Sequence, residues 1–205
     1  MQEITHSVAI FIDYANVSGH IGNGTLLKPQ EVIRRIENYA RMVGKVGLVN
    51  TYMPVGSLKD HLGDKYISQN AYHIYTSGAQ AIHAPSFDRS MPSVEGHGTA
   101  VDSQCSEKNI SDEEMMCDIV ETIFTRSWID TFFIATGDKD FLPAIRKLRN
   151  HGKNIILFRR SMQVLHASLV YEIELGKVDL ESGDQGDGVV RSRIVVIDDL
   201  PPAHS

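Results

Sequence analysis

Two carboxylates set two residues apart, Asp138 and Asp140, are the residues of this chain best placed to do chemistry. They follow a continuous apolar run, Phe132 to Ala135, which reads as a strand buried on both faces. The run stops at Thr136-Gly137, where Gly permits a tight turn with positive φ, and a helical pattern begins at Phe141. In an open parallel sheet, ligands bind outside the carboxyl ends of the strands. Acids crowded there are costly unless something positive sits between them, and a divalent metal is the usual solution. A second apolar strand, Ser7 to Asp13, also ends in an acid, and Asn16 follows as Asp-x-x-Asn. A turn or helix cap accounts for Asn16 as readily as a ligand role does. It accounts less well for Asp13, because a central strand rarely ends in an ion with no partner.

A third segment brings another acid to this edge. Ser111-Asp112-Glu113-Glu114 reads as a capping box, with Ser111 at the cap and Glu114 at the third position. Met116, Val120, Ile123 and Phe124, flanked by Ile119, make the expected buried stripe. The helix leads into the Phe132 strand, so its N-terminus lies at the edge where Asp138 and Asp140 stand. Asp112 then projects toward the sheet from the first turn. Asp118 lies about 9 Å further along the axis and away from the stripe. Asp112 is therefore the preferred metal-facing acid and Asp118 the reserve, although dipole complementation explains a first-turn Asp equally well. Arg159 and Arg160 end another strand, Lys153 to Phe158, and are the candidate phosphate contacts. Arg146, Lys147 and Arg149 read as a solvated helix face, and His61 and His73 as surface or packing residues without ligand spacing.

The remaining elements must hold these residues in place. Pro29 opens a helix over 29–43 with Val32, Ile33, Ile36, Tyr39 and Ala40 on one face. A strand over 46–53, a helix over 58–70 and a strand over 71–77 follow. A helix over 141–151 stops at Gly152, and a short helix over 161–169 precedes a strand over 170–175. This rhythm predicts an α/β fold: a three-layer sandwich whose central parallel sheet has the first strand between the second and the Phe132 strand. Residues 78–110 break the rhythm and read either as a disordered insertion or as a lid over the strand ends. Residues 183–188 read as a flexible linker. Arg193 to Asp198 is a strand-like segment that can extend its own sheet or the edge of a partner, whether a second copy or another protein.

Composition sets outer bounds. The 205 residues, 42% of them apolar, suit one α/β domain with a modest appendage. No apolar run reaches membrane-spanning length, and the N-terminus carries no signal pattern. Cys105 and Cys117 read as reduced thiols of a cytoplasmic protein. A net charge of −6 argues against a passive nucleic-acid coat, but not against a nuclease whose metal-binding acids dominate the total.

With these residues assembled, the chain resembles the NYN domains of the PIN-like nuclease superfamily. The matching pieces are Phe11-Ile12-Asp13-Tyr14-Ala15-Asn16, then Thr136-Gly137-Asp138-Lys139-Asp140-Phe141, then Leu148-Arg149-Asn150-His151-Gly152-Lys153, with Ser161 to Glu174 like the family's last helix and strand. The resemblance implies a PIN-like, Rossmannoid domain over 1–176, followed by a linker and tail over 177–205. It implies a metal-dependent phosphodiesterase acting on nucleic acid, RNA rather than DNA. Asp13, Asp112, Asp138 and Asp140 would hold Mg²⁺ or Mn²⁺. Asn16 would orient a water or a phosphate, and Thr136 would hydrogen-bond a phosphate or a coordinated water. Lys108 stands near the place of a Lys that often precedes the family's helix acid. If Asp118 is that acid, Glu114 or Met115 stands where the Lys is expected. A Toprim-like domain would want Glu where Asp13 stands, and haloacid-dehalogenase chemistry would want an acid at Ala15. A non-catalytic NYN-like module binding RNA or a protein is the rival of a different class.

Overall fold

The computed structural model describes residues 6–18, 29–53, 64–83, 107–158 and 194–197. Strand β1 (His6–Asp13) leads through a short helix α1 (Tyr14–Ser18) to α2 (Pro29–Val43), β2 (Gly44–Met53), α3 (Asp64–Thr76) and β3 (Gln80–His83). Helix α4 (Glu107–Thr125), β4 (Thr131–Ala135), a 3₁₀ turn (Lys139–Phe141), α5 (Leu142–Asn150), β5 (Asn154–Phe158) and β6 (Ile194–Ile197) follow. The strands form one sheet in the order β3-β2-β1-β4-β5-β6, every pairing parallel. As expected, β1 lies between β2 and β4, and the order reverses at that seam.

Alternation along β1 distributes its side chains to two cores. Val8, Ile10 and Ile12 pack with Val32, Ile33, Ile36 and Ala40 of α2 and Ile74 of α3. Ala9 and Phe11 pack with Met115, Ile119 and Ile123 of α4 and Ala144, Ile145 and Leu148 of α5. Both faces are thus covered by helices, which is what parallel strands with no polar face require. The Phe11 and Phe132 rings stack across the central seam at 6.0 Å. At Gly44 a Cβ would collide with the His6 carbonyl oxygen, so only Gly lets β2 begin beside β1.

Several expectations need correction. Residues 71–77 are not a strand: 71–76 are the last part of α3, Ser77 lies in the turn after it, and β3 comes later, at Gln80–His83. The β-branched and aromatic run suggested a strand, yet only Ile74 is buried, while Tyr72 and Tyr75 are exposed. Gly78, at φ 84°, closes the helix, its N–H donating to the Tyr75 carbonyl at 3.1 Å. The strand and the first turn of α4 also claim both ends of the segment 78–110, whose middle lies outside the described residues. The positive φ values fall at Gly78 and Gly152, not at Gly137. The strand-like tail extends its own sheet, β6 pairing in parallel with β5. The expected elements over 161–175 and the 183–188 linker lie outside the described residues, as does His61. Cys117 is a free, exposed thiol. No helix among the described residues is long and apolar enough to cross a membrane.

Candidate active site

The carboxyl ends of β1 and β4 are joined by a chain of hydrogen bonds. Asp13, 2% exposed, is the last residue of β1 and caps α1, its Oδ1 accepting the Asn16 backbone N–H at 3.2 Å. Its Oδ2 accepts the Asn16 side-chain amide and, at 3.1 Å, the Thr136 hydroxyl from the end of β4. Thr136 Oγ1 in turn accepts the Asp138 N–H at 3.1 Å, and Asp138 Oδ1 accepts the Asp140 N–H at 3.1 Å. Thr136 is buried, Asp138 half-buried and Asp140 exposed. The series therefore runs from a dry carboxylate in the fold to a wet one at its rim. Asp13 is thus both the cap of α1 and a hydrogen-bond link to the end of β4. The Asp-x-x-Asn spacing satisfies the first turn of α1 and aims two amide donors at one carboxylate.

Helix α4 differs from its expected form, and the difference moves the acids. It begins at Glu107, so Ser111 is 3% exposed inside the helix and is not its cap. The buried stripe is Met115, Ile119, Thr122 and Ile123, while Phe124 is 60% exposed. This rotation of the stripe turns Asp118 toward the sheet. Its Oδ2 accepts the Tyr52 hydroxyl at 2.5 Å, correcting the expectation that it points away. Asp112 is buried at 7% exposure and lies in the second turn rather than the first, about 9 Å up the axis from Asp118.

Tyr52 and Asn50 are the members that sequence reasoning missed. Tyr52 pairs in register with Asp13 and accepts the Asn50 side-chain amide at 3.2 Å. Burial pushes its phenol far above the ordinary tyrosine range, and its bond to Asp118 adds to the shift. The hydroxyl therefore stays protonated and remains a donor. Asn50 Oδ1 and Glu114 Oε2 are buried without a hydrogen-bond partner in the same neighbourhood. The available signal was the alternation Leu48, Asn50, Tyr52, which turns polar on the face that carries Asp13. The candidate phosphate contacts Arg159 and Arg160 lie outside the described residues, and nothing is described of the Lys108 side chain.

Carboxylate, amide and hydroxyl oxygens are the hard donors that Mg²⁺ or Mn²⁺ prefers. That donor set suits such an ion, but the described carboxylates are not gathered round one point. Among the described residues no group of three or more His, Cys, Asp or Glu stands close enough to hold an ion. Asp13 and Asp118 are instead engaged by protein donors.

A six-stranded parallel sheet between two helical layers, with acids at its switch point, defines a PIN-like α/β domain. The chain belongs to the NYN domain family, whose family model matches residues 7–171. It is thus a member of the PIN-like nuclease superfamily, whose NYN domains are generally nucleases. An uncharacterized protein of Methanocaldococcus jannaschii, MJ0482, is 45% identical over 62 residues, covering 28% of this chain and 25% of that protein. The match thus spans about a quarter of the relative's length. A crystal structure of a protein of unknown function, VPA0982 from Vibrio parahaemolyticus, is similar in fold. It covers 97% of each chain at a TM-score of 0.59 and 14% identity.

Proposed function

We propose that this NYN domain, over residues 1–176, is a metal-dependent endonuclease that hydrolyses phosphodiester bonds in RNA at the carboxyl edge of its sheet. One observation carries the reading: Asp13 of β1 and the Thr136-Asp138-Asp140 segment after β4 are hydrogen-bonded into one unit at the switch point. Asp13 is fixed in orientation by Asn16 and Thr136, so it meets a ligand already ordered. Asp138 and Asp140 offer carboxylates at the solvent side, where a phosphate can approach. Asp112, about 9 Å up α4 from Asp118, lies toward the helix N-terminus. Asp118 is committed to Tyr52 and acts as the anchor between helix and sheet. A Mg²⁺ or Mn²⁺ ion held by Asp13, Asp112, Asp138 and Asp140 would neutralise phosphate charge and lower the pKa of a water. Arg159, Arg160 and Lys108 are the proposed phosphate contacts. The free Cys117 thiol fits a cytoplasmic protein.

The test is incubation of end-labelled RNA and DNA with pure protein in Mg²⁺, Mn²⁺ or EDTA. The expected result is RNA cleavage that EDTA stops and Asp138→Asn removes. Cleavage insensitive to both overturns the reading. The non-catalytic module is the second reading, favoured by the lack of a three-acid group among the described residues and by the donors that engage Asp13. RNA retained without cleavage under every metal condition selects it.

A further inference from the structure

At the opposite edge of the sheet, the C-terminal end of α4 carries exposed aromatic rings among cations. Phe124 is 60% and Trp128 65% exposed. The His151 ring meets Phe124 edge to face at 5.1 Å, and Lys147 Nζ stands 5.9 Å from the Phe124 centroid. Lys147 thus lies over one face of the Phe124 ring, which still leaves 60% of the residue exposed to solvent. Lys153 Nζ donates to the carbonyls of Ser127 at 3.2 Å and Ile129 at 2.6 Å, bracketing Trp128. Its ammonium also offsets the negative end of the α4 dipole, which would otherwise repel an anion. Helix α5, beside this patch, carries Arg146, Lys147 and Arg149 and no acid.

A protein of net charge −6 that gathers open rings and cations in one place has built the local chemistry of a single-stranded nucleic-acid contact. Bases stack on the rings while cations track the phosphates. We propose that Phe124, Trp128 and Lys147, braced by His151, form a stacking platform for single-stranded RNA, distinct from the acids at the carboxyl edge. Phe124 lies about 9 Å from Asp118 along the helix axis, toward the C-terminus. The inference rests on the RNA reading above.

Trp128 is the chain's one tryptophan, so its fluorescence reports the platform directly. Short single-stranded oligouridine, titrated into the full chain in EDTA, is expected to quench that fluorescence, whereas duplex RNA is not. Phe124→Ala and Lys147→Glu, both at exposed positions, should each weaken the quench titration about tenfold. RNA cleavage without any quench by oligouridine overturns the platform and leaves the nuclease reading standing. A quench without cleavage upholds the platform and removes the hydrolytic reading instead. A quench that neither substitution alters, or equal quenching by duplex, overturns the platform. So does a shift from dimer to monomer in Phe124→Ala without RNA, because the rings would then serve a second copy of the chain.

Discussion

The two faces of the sheet start alike at the amino edge and finish differently at the carboxyl edge. Toward α2 and α3, Val8, Ile10 and Ile12 of β1, Phe133 and Ala135 of β4, and Ile156 and Phe158 of β5 keep the face apolar to the end of each strand. Toward α4 and α5, β1, β2 and β4 begin apolar and end polar. Ala9 and Phe11 give way to Asp13, Leu48 to Asn50 and Tyr52, and Phe132 and Ile134 to Thr136. Side-chain alternation with a period of two makes this possible, because one residue can change one face without touching the other. The fold can therefore carry a polar cluster at the switch point while a complete core holds the opposite side. Stability and function should separate along this division, and substitutions can break it.

The largest effect is expected on the dry side. Phe133 is fully buried, with Tyr39 meeting its ring edge to face at 6.0 Å and Phe158 tilted against it at 6.4 Å. Phe133→Ala should cost about 3–5 kcal/mol in urea unfolding, through lost transfer energy and a cavity. A loss under about 1 kcal/mol would mean that this face is not a packed core.

On the wet side, Asp138→Asn should lower RNA cleavage by about 10²- to 10³-fold, the several kcal/mol expected of a group that acts on the phosphate through a metal. Its melting point should barely change, since the side-chain oxygen of Asn can still accept the Asp140 N–H. Asp13→Asn should lower cleavage as far, but also cost about 1 kcal/mol, because Asn retains the cap while losing one acceptor for the Asn16 and Thr136 donors. Wild-type cleavage in either variant would break the comparison at its functional side.

The helix acids sharpen it. Asp118 is tied to Tyr52 at the level of the strands, whereas Asp112 lies about 9 Å nearer the helix N-terminus. Asp112→Asn should therefore lower cleavage and Mn²⁺ binding more than Asp118→Asn. Asp118→Asn should lower stability by about 1–3 kcal/mol, because it weakens the part-buried Tyr52 bond. Calorimetric Mn²⁺ titration of both variants and a urea melt of Asp118→Asn measure these effects. A reversed order of Mn²⁺ binding moves the metal-facing role to Asp118.

What the sequence made legible follows the same division. The apolar strands over 7–13 and 132–135, and the Pro29 helix, announce themselves through composition and period, and so did the placement of β1 beside β4. Local signals misled where two physical readings coincide. Tyr72 to Thr76 has β-forming side chains, but the Ser77-Gly78 pair is a helix stop, and tertiary packing on Ile74 decided for helix. Ser111 to Glu114 spells a capping box, yet the helix runs through it, shifting the buried stripe and with it the direction of Asp118. Tyr52 escaped notice because the polar end of the Leu48, Asn50, Tyr52 alternation gains its meaning only from a register, the pairing of Tyr52 with Asp13, that the alternation alone does not give.

The smallest effect, and the most specific, concerns Tyr52. Its hydroxyl donates to Asp118 and accepts from Asn50, so Tyr52→Phe should cost about 1–2 kcal/mol at neutral pH. The phenol is raised well above its ordinary value of about 10, first by burial and then by Asp118. In the folded protein it stays protonated at pH values where the unfolded chain ionises. A raised folded pKa means that this contribution is complete below about pH 10 and is lost as pH rises beyond it, since only the unfolded state gains by releasing the proton. The stability advantage of wild type over Tyr52→Phe should therefore be constant from pH 7 to about 9 and shrink between about 10 and 11. Urea melts across that range measure it. An advantage that persists unchanged at about pH 11 would mean that the Tyr52 hydroxyl is not held in a buried bond to Asp118.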